Sequence, residues 1–251
     1  MTRIFSKADE ESKPRIDKDS VAKFFQERAQ KAESVGLTRA VIYQDKHPDL
    51  AEKRDAAEKA RLLPILQLNS TLRVLDVGCG TGRWTEELAG NSAYYHGIDF
   101  SAELIGHARA AHPETADLRF SVAPAENYSL SELDESQPFD RILCCGVMIY
   151  LNDEDVASAY RCMASVASGK CRIVMREPVG ILERLTIKEH FSDELEQSYN
   201  AIYRTQRELE DYMTDTLFAS GFRIVDQGDV YDAELNNRAE TIQRWIVLER
   251  A

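Results

Sequence analysis

The chain has 251 residues, 43% of them apolar, and its 31 Lys and Arg face 43 Asp and Glu for a net charge of −12. That length suffices for one large α/β domain with a full core and does not require a second independent one. The acidic balance and the lack of a Lys/Arg block argue against nucleic acid as a partner, because such binding rests on neutralising phosphates.

No run approaches the roughly 18 apolar residues of a membrane span, and the N-terminal MTRIFSKADEESKPRIDKDS lacks the apolar stretch of a secretion signal. The five cysteines show neither C-x-x-C nor zinc spacing. Reduced thiols in a cytoplasmic protein, with no membrane partner and no bound metal, are the expectation; monomer and homodimer stay open.

Residues 1 to about 18 are charged and unpatterned, which predicts a mobile arm. A helix is expected from Asp19, as N-cap, through SVAKFFQERAQKAE, then a linker VGLTRAVIYQDKHPD, then a second helix LAEKRDAAEKARLLPILQL. Seven apolar runs follow as strands, at 72–78, 94–100, 118–123, 139–147, 171–179, 222–230 and 241–250. Helical text lies between most of them: RWTEELAG, SAELIGHARAAH, DEDVASAYRCMASVAS and a much longer stretch from Asp193 to Ser220. Short buried strands alternating with amphipathic helices predict an α/β fold, a doubly wound, mostly parallel seven-stranded sheet with an antiparallel last strand. Residues 1–70 then form an N-terminal arm and helices, and 71–251 the sheet domain.

The text VLDVGCGTGRW (74–84) closes the first strand with Gly78, Gly80 and Gly82. Three glycines there suit a turn through positive φ and a close backbone approach to a ligand at a helix start. The dinucleotide fingerprint G-x-G-x-x-G would need glycine where Arg83 stands, which argues against a nicotinamide oxidoreductase. Asp99, at the end of the second run, lies where a carboxylate accepts hydrogen bonds from the ribose hydroxyls of an adenosine. Its rival role is helix N-cap, although Ser101 is better placed to cap.

Together these features resemble the class I S-adenosylmethionine-dependent methyltransferases over roughly residues 70 to 250. VLDVGCGTGRW and HGIDFSAELIGHA are similar to their first two motifs, FSVAPAENY to their adenine-binding turn, and FDRILCCGVMIYL to their fourth-strand motif. The resemblance implies S-adenosylmethionine as cofactor. Gly78, Gly80 and Gly82 would approach its methionine part, with Asp76 and Phe100 beside the two turns. Asp99 would bind ribose, Ala125 and Glu126 would meet adenine, and Cys145 would lie under the sulfonium. Pro124 departs from the acidic residue many members carry, leaving Glu126 or a backbone carbonyl for the adenine amino group. Members often close the cofactor site with N-terminal helices, so Phe24, Phe25, Tyr43 and Arg54 are lid candidates, with Arg54 on the methionine carboxylate. The alternative packs the phenylalanines on the sheet and pairs Arg54 with Asp55 or Glu58.

Methyl transfer needs acceptor, methyl and sulfur in line and water excluded, and a hydroxyl acceptor also profits from a base. The polar segment from Arg176 to Arg204 is longer than a plain β-α link, and members often build the acceptor pocket there. His190 is the first candidate base, with Glu177 and Arg176 as further catalytic candidates; a solvated helix histidine is the plain alternative for His190. Tyr150, Tyr199, Tyr203 and Arg204 are candidate substrate contacts. The expected activity is O-methylation of a small polar molecule, a sugar or secondary-metabolite intermediate. N-methylation of an amino sugar or similar amine, and a cofactor-binding scaffold without catalysis, stay open.

Overall fold

The computed structural model describes residues 2–7, 13–43, 45–236 and 238–250. Of the expected mobile arm, Met1 and residues 8–12 lie outside the described residues. Thr2–Ser6 are a strand, β1, whose partner lies far along the chain. The first helix, α1 (Lys18–Val35), begins slightly earlier than expected, because Asp17 and not Asp19 caps it by accepting from the Ser20 N–H at 2.7 Å. Val21, Phe24, Phe25, Arg28, Ala29 and Ala32 recur at helical spacing and form its buried face. Gly36, at φ 93°, ends it. The expected linker, whose Gln44 is not described, contains a short helix α2 (Leu37–Ile42) before α3 (Pro48–Leu66).

The chain then alternates: β2 (Arg73–Val77), α4 (Thr85–Ala89), β3 (Tyr94–Asp99), α5 (Ala102–Ala111), β4 (Leu118–Val122), β5 (Phe139–Cys145), α6 (Asp153–Val166) and β6 (Ala167–Gly180). After an excursion come α7 (Gln206–Met213), β9 (Phe222–Asp229) and β10 (Thr241–Arg250). The large sheet has seven strands in the order β4-β3-β2-β5-β6-β10-β9, with β10 antiparallel to both neighbours and β2 to β6 parallel. Apolar side chains leave both faces: Leu75, Ile142, Ile173 and Met175 pack with α6, while Val74, Leu143, Val174 and Val247 pack with Leu62 and Leu66 of α3. A sheet covered on both sides explains why its strands read as unbroken apolar runs.

The long helix expected from Asp193 to Ser220 does not form. The excursion is β7 (Arg184–Ser192) and β8 (Gln197–Tyr203), which with β1 make a second, antiparallel sheet in the order β1-β7-β8. Helix-favouring Glu and Leu at 193–196 are outvoted by β-branched and aromatic residues that pack on α1: Ile187, Tyr199, Ile202 and Tyr203 share one cluster with Phe24 and Phe25. Only α7 and one π-helical turn, Thr214–Phe218, remain of that helix.

Candidate functional site

The chain runs β2, β3, β4 outward and then returns to lay β5 on the other side of β2. The carboxyl ends of β2, β3 and β5 therefore flank a switch in strand order, where open α/β sheets bind ligands. A cavity of about 760 Å³ lies there. Its floor comprises Asp76, Gly78, Gly80, Asp99, Phe100, Ala125, Glu126 and Cys145. Phe24, Phe25, Tyr43 and Arg54 from the N-terminal helices, Tyr199 and Tyr203 from the small sheet, and Tyr150 from the turn after β5 also line it.

The floor is set by backbone conformation. Gly78 has φ +74°, and a Cβ there would lie 2.3 Å from Val147 Cγ2; Gly80 has φ +57°, with its Cβ 3.0 Å from Val41 Cγ1. Both neighbours line the cavity. Asp99 Oδ2 accepts from the Gly80 N–H at 3.0 Å and Oδ1 from the Ser101 N–H at 2.9 Å, tying the two turns together. Ser101, not Asp99, caps α5, accepting from Leu104 N–H. Burial pushes the Asp99 carboxyl up to about 6, against the pull of those two N–H groups. Asp76, 2% exposed, accepts from the Tyr95 hydroxyl at 3.0 Å, and burial pushes it up to about 7.

Deeper in the floor, Glu58 of α3 takes Arg83 at 2.6 Å and Arg176 at 2.8 Å. Burial works against its charge, yet the two guanidiniums hold its carboxyl down at about 2. Arg54 does not join its own helix's carboxylates. It donates to the Leu235 carbonyl at 2.7 and 3.1 Å, and Asp55 pairs with Arg83.

Four expected site residues lie outside the cavity wall. Gly82 faces the other way, where a Cβ would meet His112, Thr85 and Ala108; its φ of +83° serves the packing of α5 on the first turn. Arg204, 1% exposed, is a structural clamp: it donates to the Met148 and Leu151 carbonyls at 2.8 and 2.7 Å and pairs with Asp153. His190 sits on β7, edge-on to its cross-strand partner Tyr199 with ring centroids 5.7 Å apart. It is a strand residue, not the solvated helix histidine of the alternative reading. Glu177 is 3% exposed and points inward, with Oε1 accepting from the Val147 and Met148 N–H groups at 2.9 and 3.1 Å. Its Oε2 has no hydrogen-bond partner among the described residues, and burial pushes the carboxyl up to about 7.

Other lining residues carry no usable sequence signal. Arg83 is legible only as a departure from the dinucleotide fingerprint. Tyr231 and Arg238 fall in YDAELNNRAE, which reads as a plain connection.

Residues 74–169 match the model of a family described as a methyltransferase domain. Malonyl-[acyl-carrier protein] O-methyltransferase of Pectobacterium atrosepticum is 29% identical over 59% of this chain and 51% of its own length. Phosphoethanolamine N-methyltransferase 1 of Caenorhabditis elegans is 27% identical over 45% of this chain and 23% of its own length. The chain thus spans no more than about half the length of these relatives. Among solved structures, phosphoethanolamine N-methyltransferase 1 of Haemonchus contortus, in complex with phosphoethanolamine and S-adenosylhomocysteine, superposes with TM-score 0.67 at 15% identity over 93% of this chain and 50% of that one. Magnesium protoporphyrin IX methyltransferase of Synechocystis with bound S-adenosylmethionine superposes with TM-score 0.58 at 18% identity, over 96% of this chain and all of that one. At these identities the superpositions establish the fold.

Proposed function

Residues 74–169 match a methyltransferase domain, and from that premise we propose that the chain is a class I S-adenosylmethionine-dependent methyltransferase acting on a small polar acceptor whose nucleophile arrives ready to react. One observation carries the reading: the Gly78–Gly80 turn and the Asp99 carboxylate meet in a single cavity with Ala125, Glu126 and Cys145. The donor set suits the cofactor. Each Asp99 oxygen accepts one backbone N–H and keeps a lone-pair direction for a ribose hydroxyl. Gly78 and Gly80 hold the turn open where a side chain would collide with the wall.

When bound, S-adenosylmethionine supplies a methyl group already activated by its sulfonium. The chain's own part is then alignment and exclusion of water. Phe24, Phe25 and Tyr43 from the N-terminal helices form a lid, and Tyr150 and Tyr199 supply the acceptor's side wall. Phe24 stacks on Tyr150 at 6.3 Å between centroids and Phe25 meets it edge-on at 4.9 Å. Glu177 is a positioning residue: it fixes the backbone of 147–148, and Val147 lines the cavity beside Gly78.

Neither His190 nor Glu177 reaches the cavity, so the base-assisted route assigned to them loses its support. An amine, or an oxygen ionised before it binds, needs no such base. Calorimetry with S-adenosylhomocysteine and NAD, then methyl-donor turnover on a panel of amines, carboxylic acids, phenols and sugars, tests the reading. Binding of NAD with no response to the sulfur compound would sink it. Cofactor binding without turnover on any acceptor would favour the scaffold reading.

A further inference from the structure

The floor of the cavity is electrically closed, whereas one end of it is not. Arg83 and Arg176 meet Glu58, and Arg83 also meets Asp55. Arg238, in the link between β9 and β10, lines the same cavity and has no carboxylate within ion-pair distance among the described residues. Its Nη1 donates to the Tyr203 hydroxyl at 2.8 Å, and its guanidinium lies 5.8 Å over that ring. A guanidinium has five N–H donors in a planar fork, so this one bond leaves most of them unused.

Its surroundings add positive charge. Arg54 reaches the same link through Leu235, and its pKa is lowered by burial and further by the Arg238 charge, against Tyr231. Asn236, Thr241 and Gln243, from the same link and β10, also line the cavity and are neutral.

We propose that the methyl acceptor carries an anionic group, a carboxylate or a phosphate, and that the Arg238 fork binds it at this end of the cavity. The Tyr203 hydroxyl accepts from Arg238 and holds the fork at this end of the cavity. The inference rests on the methyltransferase reading. It makes Arg238 a specificity-determining residue and Tyr203 its support.

The test uses the full chain, with and without saturating S-adenosylhomocysteine, and three probes: benzoate, phenyl phosphate and the neutral benzyl alcohol. Titration by calorimetry should show benzoate or phenyl phosphate binding at least about tenfold more tightly than benzyl alcohol, the scale of a hydrogen bond to a charged group. Whichever anion binds more tightly identifies the group. Arg238→Gln should erase that preference, Arg238→Lys should keep part of it, and Tyr203→Phe should reduce it. S-adenosylhomocysteine affinity should stay within about twofold in Arg238→Gln. Equal binding of the neutral probe, or a preference that survives Arg238→Gln, would overturn the proposal. So would a loss of S-adenosylhomocysteine affinity in Arg238→Gln as large as the loss of anion affinity, which would assign Arg238 to the cofactor's carboxylate. Failure of the unsubstituted protein to bind S-adenosylhomocysteine strikes the cofactor reading; loss of anion preference with that binding intact strikes only this one.

Discussion

The two walls of the cavity are built from different parts of the chain and by different physics. The floor comes from turns at the ends of parallel strands, and its working groups are backbone N–H, glycine φ and the Asp99 carboxylate. The opposite wall is made of side chains, from α1, α2 and β8, held by a small sheet that pairs Phe5 with Leu185 and His190 with Tyr199. A floor of backbone tolerates little change in chain conformation. A wall of side chains can change its ligand by exchanging single residues. Cofactor binding should therefore answer sharply to floor substitutions, and acceptor choice to wall substitutions.

The largest expected effect is on the floor. Gly80→Val forces a β-branched residue into φ +57° and sets its Cβ 3.0 Å from Val41 Cγ1. S-adenosylhomocysteine binding should become undetectable by calorimetry while circular dichroism still reports a folded sheet. A variant that folds and binds normally would show that the turn does not hold the cofactor.

Asp99→Ala comes next. It removes a charged acceptor and frees two buried N–H groups, and should weaken S-adenosylhomocysteine by about 1.5–3 kcal/mol, the usual scale for hydrogen bonds to charge. The same group sets a pH dependence. With its carboxyl near 6 in the free protein, Asp99 gains a proton as pH falls through that value and loses acceptor capacity. Affinity should fall from pH 7 to pH 5, and the slope should flatten in Asp99→Asn. An unchanged slope in that variant would assign the titration elsewhere, with Asp76 the first alternative.

The contrast between the walls also explains which site residues the amino-acid sequence reveals by itself. The floor is local: strand, turn and helix follow within a dozen residues, so Asp76, Gly78, Gly80, Asp99, Ala125, Glu126 and Cys145 stand out by spacing and resemblance, and the fold brings them to one cavity. Gly82 carries the same local signal but serves helix packing, a difference that turns on which way one Cα faces. The other wall is non-local. β1 pairs with residues about 180 positions away, and no sequence window contains both. Residues 193–220 carry Glu and Leu at helical density, and the strand that forms there owes its place to packing on α1. His190 and Arg204 stand out for their chemistry in a polar segment. Polarity there marks buried clamps such as Arg204–Asp153 as well as cavity wall.

Glu177 lies where the floor meets the main core, and two substitutions separate its charge from its hydrogen bonds. Glu177→Ala leaves the Val147 and Met148 N–H groups without an acceptor, at about 1–3 kcal/mol of stability for the buried Met148 donor and less for the half-buried Val147 one. Glu177→Gln keeps an acceptor oxygen and should hold activity within a few-fold. The sign of its pH effect follows from the raised pKa. The folded protein keeps this proton to about pH 7, whereas the unfolded chain loses it near 4.5, so raising pH between those values costs stability. Chemical denaturation should therefore show Glu177→Gln gaining on the parent protein between pH 5 and pH 8. Equal pH profiles for the two proteins would mean that Glu177 is not buried as a neutral acid.

The smallest expected effect belongs to His190, and it separates a catalytic wall from an aligning one. The histidine stands on β7 with its ring edge against Tyr199, and Tyr199 rather than His190 faces the cavity. Partial burial and the nearby charge of Arg3 lower its pKa, so it is neutral at the pH where a base would be needed, yet it does not line the cavity. His190→Ala should therefore leave kcat within about threefold, whereas loss of a true general base costs ~100- to 10,000-fold. It should leave the acid limb of the rate profile in place as well. The change it does cause should appear in KM for the acceptor, through a small shift of the Tyr199 ring. A hundredfold fall in kcat at unchanged cofactor affinity, with the acid limb removed, would return His190 to the chemistry. That result would also require the small sheet to rearrange when the acceptor binds, because Tyr199 and not its cross-strand partner His190 lines the cavity.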